Sequence, residues 1–337
     1  MSRIFVTGAN GFVGSHLIEH LLRRGDEVIG LIRAGSDVRS LAPMVAAHGE
    51  RLQLVVGDLR DRGSLEFAFH AVDFVYHLGA VLMATSTQAF RETNVAGTRN
   101  LLDAIGARGP GKLRRFLFVS AQAAAGPSPD GRPIDESQPL RPVSVYGTSK
   151  ADAEAIVRQF SDRIPVTIVR PVAVYGERER DISGGTFPMV KAGLAPRLGF
   201  ASKTASLVYV GDLVAGLVAA AESPQSLGKT YFLGDRDPYP QRELVRAMAD
   251  AMGNHVRIPV VVPHLMLGIV AAFAELGHRV TGRRPMLTRD KVRELKQRWW
   301  AASPAAAARD LGWSAQISLR DGMARAVADW KLRQGHR

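Results

Sequence analysis

The stretch Arg3-Ile-Phe-Val-Thr7-Gly8-Ala9-Asn10-Gly11-Phe12-Val13-Gly14 decides how this chain is read. An apolar run of strand type leads into three glycines, Gly8, Gly11 and Gly14. A helical pattern follows over Phe12–Arg24, with Val13, Leu17, Leu21 and Leu22 as its apolar positions and Gly25 as its stop. Glycines so placed let a chain turn tightly, approach a diphosphate closely and pack helix on strand. The helix start offers N–H groups and the positive end of its dipole to an anion. A glycine triad alone is weak, but this one has a strand before it, a helix after it and a second apolar run at Glu27–Ile32. Asn10, Phe12 and Val13 join the glycines as candidate dinucleotide-binding residues.

Outward from that turn, Leu52–Val56, Phe74–Leu78, Arg115–Ser120 and Val166–Arg170 read as further buried strands. Thr93–Ala107 and Ser149–Arg163 read as helices between them. Strand–helix alternation with short links predicts an α/β fold, a Rossmann-type doubly wound parallel sheet covered on both faces. Gly126–Pro142, rich in proline, reads as a surface excursion, and Gly176–Gly199 as a candidate substrate loop. Beyond about residue 176 the alternation lapses. Residues 1–175 are expected to form the nucleotide-binding core. Residues 176–337 are expected to form a smaller, mostly helical substrate lobe, with short strands near Leu207–Val210 and Thr230–Leu233 and some segments returning to the core.

Composition narrows the function classes. Hydrophobic residues are 46% and charged residues 23% of the 337, which excludes a mainly disordered chain. There is no cysteine, so disulfides, thiolate catalysis and zinc–sulfur sites are excluded, and a cytoplasmic location fits. The first residues lack the pattern of a signal peptide. The longest apolar stretch, Ile258–Leu276, contains Pro259, Pro263, His264 and Glu275, a poor spanning helix. The net charge of +12 is spread along the chain without a nucleic-acid motif. It reads as a solvated basic surface that also attracts an anionic cofactor. His16, His20, His48, His70 and His77 show no metal-ligand spacing, and no metal is expected.

The end of the second strand separates the two nicotinamide cofactors. An acid there would hold the ribose 2′-hydroxyl of NAD, whereas arginine pairs with the 2′-phosphate of NADP. The chain reads Gly30-Leu-Ile-Arg33-Ala-Gly-Ser36, so Arg33 and Ser36 favour NADP(H), with NAD(H) as the alternative and Asp37 just beyond.

Tyr146-Gly-Thr-Ser-Lys150 sets a phenol and an ammonium one helical turn apart. A phenol titrates near 10, so a tyrosine acid/base needs a neighbouring cation to favour its phenolate. With the glycine turn upstream, the chain here resembles the extended short-chain dehydrogenase/reductase family, of the NAD-dependent epimerase/dehydratase type. Its nearest likeness is to 3β-hydroxysteroid-dehydrogenase-like and dihydroflavonol-reductase-like members. The likeness also rests on Gly57-Asp58-Leu59, His77-Leu-Gly-Ala80, Asn94-Val-Ala-Gly-Thr98, Phe118–Gly126 and Arg170-Pro-Val-Ala-Val-Tyr-Gly176. It implies that Asp58 and Leu59 contact the adenine and that Leu78, Gly79, Ala80 and Val119 line the cofactor. Lys150 would hold the nicotinamide ribose, and Pro171 and Val172 would pack near the nicotinamide. Tyr146 would pass a proton at the substrate oxygen, and a homodimer is implied as well.

One departure stands out. The family's second hydroxyl falls at Ala121 in Val119-Ser120-Ala121-Gln122. Losing such a donor costs roughly 10²–10³ in rate. Either Ser120, Gln122 or a water substitutes, or the enzyme is slow, or the chain binds cofactor without turnover as a redox sensor. The stretch Ala205-Ser-Leu-Val-Tyr-Val-Gly-Asp212 lacks the arginine that grips a sugar nucleotide's diphosphate in related epimerases and dehydratases. The apolar segment 263–276 and the basic one from Arg279 to Arg298 point to an apolar ketone or alcohol as the small-molecule substrate. They also raise peripheral membrane contact without a transmembrane span.

Overall fold

Seven parallel strands carry the molecule: β1 (Arg3–Thr7), β2 (Glu27–Ile32), β3 (Leu52–Val56), β4 (Phe74–His77), β5 (Arg115–Val119), β6 (Val166–Pro171) and β7 (Thr230–Leu233). Their spatial order is β7-β6-β5-β4-β1-β2-β3. All are nearly continuous runs of branched and aromatic residues, as strands buried on both faces must be. The computed structural model describes residues 1–335 apart from 66–70, 108–110, 256–257 and 282–286. His70 and part of the basic stretch after residue 279 therefore lie outside the described residues.

Two helical layers cover the sheet. On one side lie α1 (Phe12–Arg24) and α4 (Val210–Glu222), whose Leu17, Leu21, Leu213 and Leu217 pack on Ile4, Tyr76 and Leu117. On the other lie α2 (Gly97–Ala107) and α3 (Val145–Gln159), whose Leu101, Ile105, Ala153 and Val157 meet Phe5, Val75 and Phe116. Each fully buried leucine or isoleucine contributes roughly 1.5–3 kcal/mol, so this double burial dominates the fold. The α1 stop works as read, because Gly25 takes φ +97° and its N–H closes on the last carbonyls of the helix.

The remainder builds a lobe over the C-terminal ends of the strands. Its core joins Tyr175, Phe187, Tyr209 and Met248 to Leu319, Met323 and Trp330 of α7 (Leu319–Gly335). It also carries α5 (His264–Thr281) and α6 (Arg289–Lys296). Several boundaries differ from the sequence expectation. Gly176–Gly199 is no plain loop: it holds a helix at Asp181–Lys191 and a strand at Leu194–Leu198. Phe187 and Val190 are buried in the lobe core, and that packing overrides Gly184, Gly185 and Pro188. Thr230–Leu233 pairs with β6 and so extends the main sheet. The helix expected from Thr93 opens with a π-helical stretch at Arg91–Ala96, and the one expected from Ser149 starts at Val145.

Candidate active site

The strand order reverses between β1 and β4, and a doubly wound sheet opens its crevice at the carboxyl ends of such a pair. There the chain turns from Thr7 through Gly8 into α1. Gly8 has φ +69°, and a Cβ on Gly14 would lie 2.1 Å from the Gly8 carbonyl oxygen. Any side chain would fill this cradle. Gly11 caps α1 without a side-chain hydrogen bond, and the first turn holds no acid. The helix start at Phe12, Val13 and Gly14 thus presents uncapped N–H groups and an uncompensated positive dipole end. These features fit a dinucleotide's pyrophosphate.

At the end of β2, Arg33 is exposed and its carbonyl accepts the Ser36 N–H at 3.1 Å. Asp37 is already engaged. Arg39 holds its carboxylate at 2.7 Å and Arg180 approaches to 3.6 Å, while its carbonyl accepts from Asn10 Nδ2 at 3.1 Å. The Arg39 guanidinium keeps the Asp37 carboxyl well below the usual carboxylate range. Beyond β3, Asp58 pairs with Arg60 at 2.7 Å, and Leu59 packs beneath Gly79 and Gly97. Asp58, Arg60, Asp61, Glu92 and Ala96 line an open cleft of about 390 Å³ at this end.

A continuous polar chain links the glycine turn to α3. The Thr7 hydroxyl accepts the Gly79 N–H at 2.9 Å and meets His77 Nδ1 at 2.7 Å. His77 Nε2 meets the Thr98 hydroxyl at 3.0 Å, and that hydroxyl donates to the Asn94 carbonyl at 2.6 Å. The partners assign the Nε2–H tautomer, with Thr7 donating to Nδ1. Burial, helped by the Lys150 charge, presses the His77 pKa down to about 3, so the ring is neutral. Asn94 then clamps Val81 through both N–H and C=O, and donates to the Ser149 hydroxyl at 2.9 Å. Leu78, Gly79 and Ala80 ride on this chain at the mouth of the crevice.

Tyr146 and Lys150 lie within the first turns of α3. Ser144 caps that helix, its hydroxyl accepting the Gly147 N–H at 2.9 Å and donating to Glu294 at 2.6 Å. Asp290 accepts the N–H groups of Val145 and Tyr146 at 2.7 and 3.2 Å. Two carboxylates of α6 therefore hold the helix that carries the tyrosine. Lys150 Nζ donates to the Val119 carbonyl at 2.7 Å and lies 4.2 Å over the Phe118 ring. Burial lowers the Lys150 pKa to about 7, against the pull of Glu154, while burial and the Glu294 carboxylate raise the Tyr146 phenol. The expectation that Lys150 draws this phenol towards its phenolate is not met in this geometry, because the ammonium is turned to the Val119 carbonyl. Among the described residues nothing hydrogen-bonds the Tyr146 hydroxyl.

Beside them, Ser120 cannot stand in for the hydroxyl missing at Ala121. Its own hydroxyl is buried and donates to Glu154 at 2.7 Å. Glu154 is in turn gripped by Arg170 through bonds of 2.8 and 2.7 Å. Gln122 differs: it is only 4% exposed, and its Nε2 has no partner among the described residues. Pro171 ends β6 and Val172 follows it, its N–H donating to the Leu233 carbonyl at 3.1 Å and its side chain packing on Gly234. The structure thus gathers the glycine turn, residues 78–80, Val119, Tyr146, Lys150 and residues 171–172 along the carboxyl edge of one sheet. Arg33, Ser36, Asp58 and Leu59 sit at its β2–β3 end. Asn94, Glu154, Asp290 and Glu294 carry no role in the sequence reading. Asn94 stands in a quoted segment, but the other three had no local signal. Among the described residues no cluster of metal-ligating side chains occurs.

Residues 4–234 match the NAD dependent epimerase/dehydratase family. A ketoreductase acting on 4-hydroxy-2-methyl-3-oxo-4-farnesyl-3,4-dihydroquinoline-1-oxide, from Stigmatella aurantiaca, is 30% identical over 258 residues, 74% of this chain and 73% of that one. A 3-beta-hydroxysteroid dehydrogenase from Mycolicibacterium neoaurum is 28% identical over 345 residues, 97% of this chain and 91% of its own. Among solved structures, a dTDP-glucose 4,6-dehydratase from Streptomyces venezuelae with NAD bound superposes with a TM-score of 0.79 at 26% identity, covering 99% of this chain and 98% of that one.

Proposed function

The chain belongs to the NAD dependent epimerase/dehydratase family, and from that premise we propose an NADP(H)-dependent oxidoreductase that interconverts an apolar ketone and its secondary alcohol. One observation carries the reading: Tyr146, its hydroxyl without a partner among the described residues, stands one turn from a buried Lys150 at the crevice beside the glycine cradle. Gly8, Gly11 and Gly14 with Asn10, Phe12 and Val13 hold the pyrophosphate. Asp58 and Leu59 take the adenine end, and Leu78–Ala80, Val119, Pro171 and Val172 flank the nicotinamide end. When bound, the nicotinamide supplies or accepts the hydride. Tyr146 delivers or removes the proton at the substrate oxygen. Lys150, whose Nζ reaches the Val119 carbonyl at the carboxyl edge of the sheet, holds the nicotinamide ribose.

Gln122 provides the donor that Ala121 lacks. A buried amide N–H without a partner is costly, by roughly 1–3 kcal/mol, unless a substrate oxygen accepts from it. The NADP preference rests on the exposed Arg33, on Ser36 beside it and on Asp37 being paired with Arg39. The apolar substrate rests on the strand Thr204–Ala205. Where an arginine would grip a diphosphate, it is flanked by Tyr239–Pro240 and Trp299–Trp300. Two relatives whose names specify a farnesylated quinoline and a steroid support the same class. Residues 1–175 serve the cofactor, residues 176–337 mainly serve the substrate, and the working unit is a cytoplasmic homodimer.

The test is NADPH oxidation with a panel of apolar ketones, beside UDP- and dTDP-sugars. Tyr146→Phe abolishes turnover while cofactor affinity stays nearly intact, and Gln122→Leu lowers kcat by roughly 10²-fold, the loss expected of an oxyanion donor. Turnover of the sugar nucleotides alone would replace this reading with the epimerase/dehydratase chemistry of the family. Cofactor binding without turnover of anything, unchanged in Ala121→Ser, would make the chain a sensor.

A further inference from the structure

We infer that the outward face of α5 docks on an anionic lipid surface. This 18-residue helix turns Leu267 and Ala271 inward, onto a small core with Val292. Its outward positions are Leu265, Met266, Ile269, Val270, Phe273 and Leu276, and all are exposed, Leu265 by 76% and Phe273 by 70%. The spacing i, i+1, i+4, i+5, i+8 and i+11 makes them one stripe along the helix. Phe200 extends the stripe at its N-terminal end: it is 75% exposed, and the preceding Gly199 lies against the His264 ring. Seven large exposed apolar side chains on one rim form a contiguous patch of the kind that marks an interaction surface.

The charges around the stripe choose its occupant. No acid lies on the outward face; Glu275, the helix's single acid, is paired with Arg289 at 2.8 Å. Arg197 bonds the Phe200 carbonyl, and Lys296 is exposed on the adjoining α6. Besides its partial burial, the charges of Lys203 and Lys296 hold the His264 pKa below its ordinary value. On α6, Arg289 and Arg293 face solvent but are paired with Glu275 and, at 3.6 Å, with Asp290. Asp290 and Glu294 also hold the start of α3, so the rim's charge rests on Arg197 and Lys296. An apolar stripe with a basic rim is the pattern of a helix that lies in a membrane interface, where anionic headgroups meet the cations and acyl chains meet the stripe. A second copy of the chain suits this face less, since pairing two copies of it would set their basic rims against each other. No described helix is long and apolar enough to cross a membrane, so α5 lies along the surface.

This inference does not require the hydride chemistry, and its test needs no substrate. The full chain with NADPH is floated with vesicles of phosphatidylcholine alone, and with vesicles holding about one-third phosphatidylglycerol. It is expected to float with the anionic vesicles, weakly with the neutral ones, and less at high salt. Leu265→Asp with Phe273→Asp is expected to lower the bound fraction at least about tenfold, with unchanged unfolding midpoint and NADPH affinity. As a second probe, Phe273→Trp gains a blue-shifted emission on vesicles that brominated acyl chains quench. Absence of flotation, flotation insensitive to salt, or an unquenched tryptophan overturns the inference. So does a dimer in light scattering that the aspartate pair dissociates while the wild type ignores vesicles; that result gives the face to a second copy.

Discussion

Replacing Glu154 with leucine tests whether the buried ion pair behind Lys150 holds the site in place. Glu154 is 0% and Arg170 2% exposed, joined by two bonds of 2.8 and 2.7 Å. Arg170 Nη1 already lacks a partner among the described residues, and its guanidinium otherwise lies over the face of Phe232 at 5.5 Å and near enough to feel the half-buried Glu136 carboxyl. Removing the carboxylate therefore strands a charge in the interior, at a cost of about 3–5 kcal/mol. Unfolding entropy of about 2.1 cal/mol/K per residue gives about 0.7 kcal/mol/K for a chain of this size, so Tm should fall by about 4–7 °C. Glu154→Leu with Arg170→Met, which removes both charges at similar volume, should recover to within about 1–2 kcal/mol of wild type. Urea unfolding of the two single variants and the double variant closes the cycle. A single Glu154→Leu loss below about 1 kcal/mol, or a double variant no more stable than the singles, would refute the argument. Because Glu154 supports the charge on Lys150, the same substitution should also lower the lysine's pKa further.

Arg33→Ala should weaken NADPH roughly 10–100-fold, the worth of one charge-assisted phosphate contact, and leave NADH affinity unchanged; fluorescence titration with both cofactors reads this, and equal wild-type affinities would remove the 2′-phosphate role. Asp235, buried at the end of β7, has its carboxyl pushed up to about 6 by burial, which outweighs the neighbouring Tyr239 hydroxyl. Between the ordinary carboxylate range and pH 6 the folded state binds the extra proton, so this group's contribution falls as pH rises through that window. Asp235→Asn should thus stabilise the protein at pH 8, by no more than about 2 kcal/mol, and change little at pH 4, as thermal unfolding at the two pH values would record.

Elements whose causes are local were legible in the order of residues alone. The runs of β1, β2 and β3 and the helix Phe12–Arg24 have the bounds read from period and glycine stop, because side-chain alternation and helical facing act over a few residues. The glycine turn and the spacing of Tyr146 and Lys150 were legible for the same reason. What those residues touch follows from packing between segments far apart in the chain. The helix bearing Tyr146 begins at Val145, four residues before the expected Ser149, because Ser144 caps it locally and Asp290, 144 residues along the chain, accepts the Tyr146 N–H. Ser120 is claimed by Glu154, and Gln122 keeps a buried Nε2 without a partner among the described residues. Thr230–Leu233, some 60 residues after β6, enters the sheet by pairing its register with Ile168–Pro171. Partners so distant in sequence leave no periodic trace; packing and strand register bring them together.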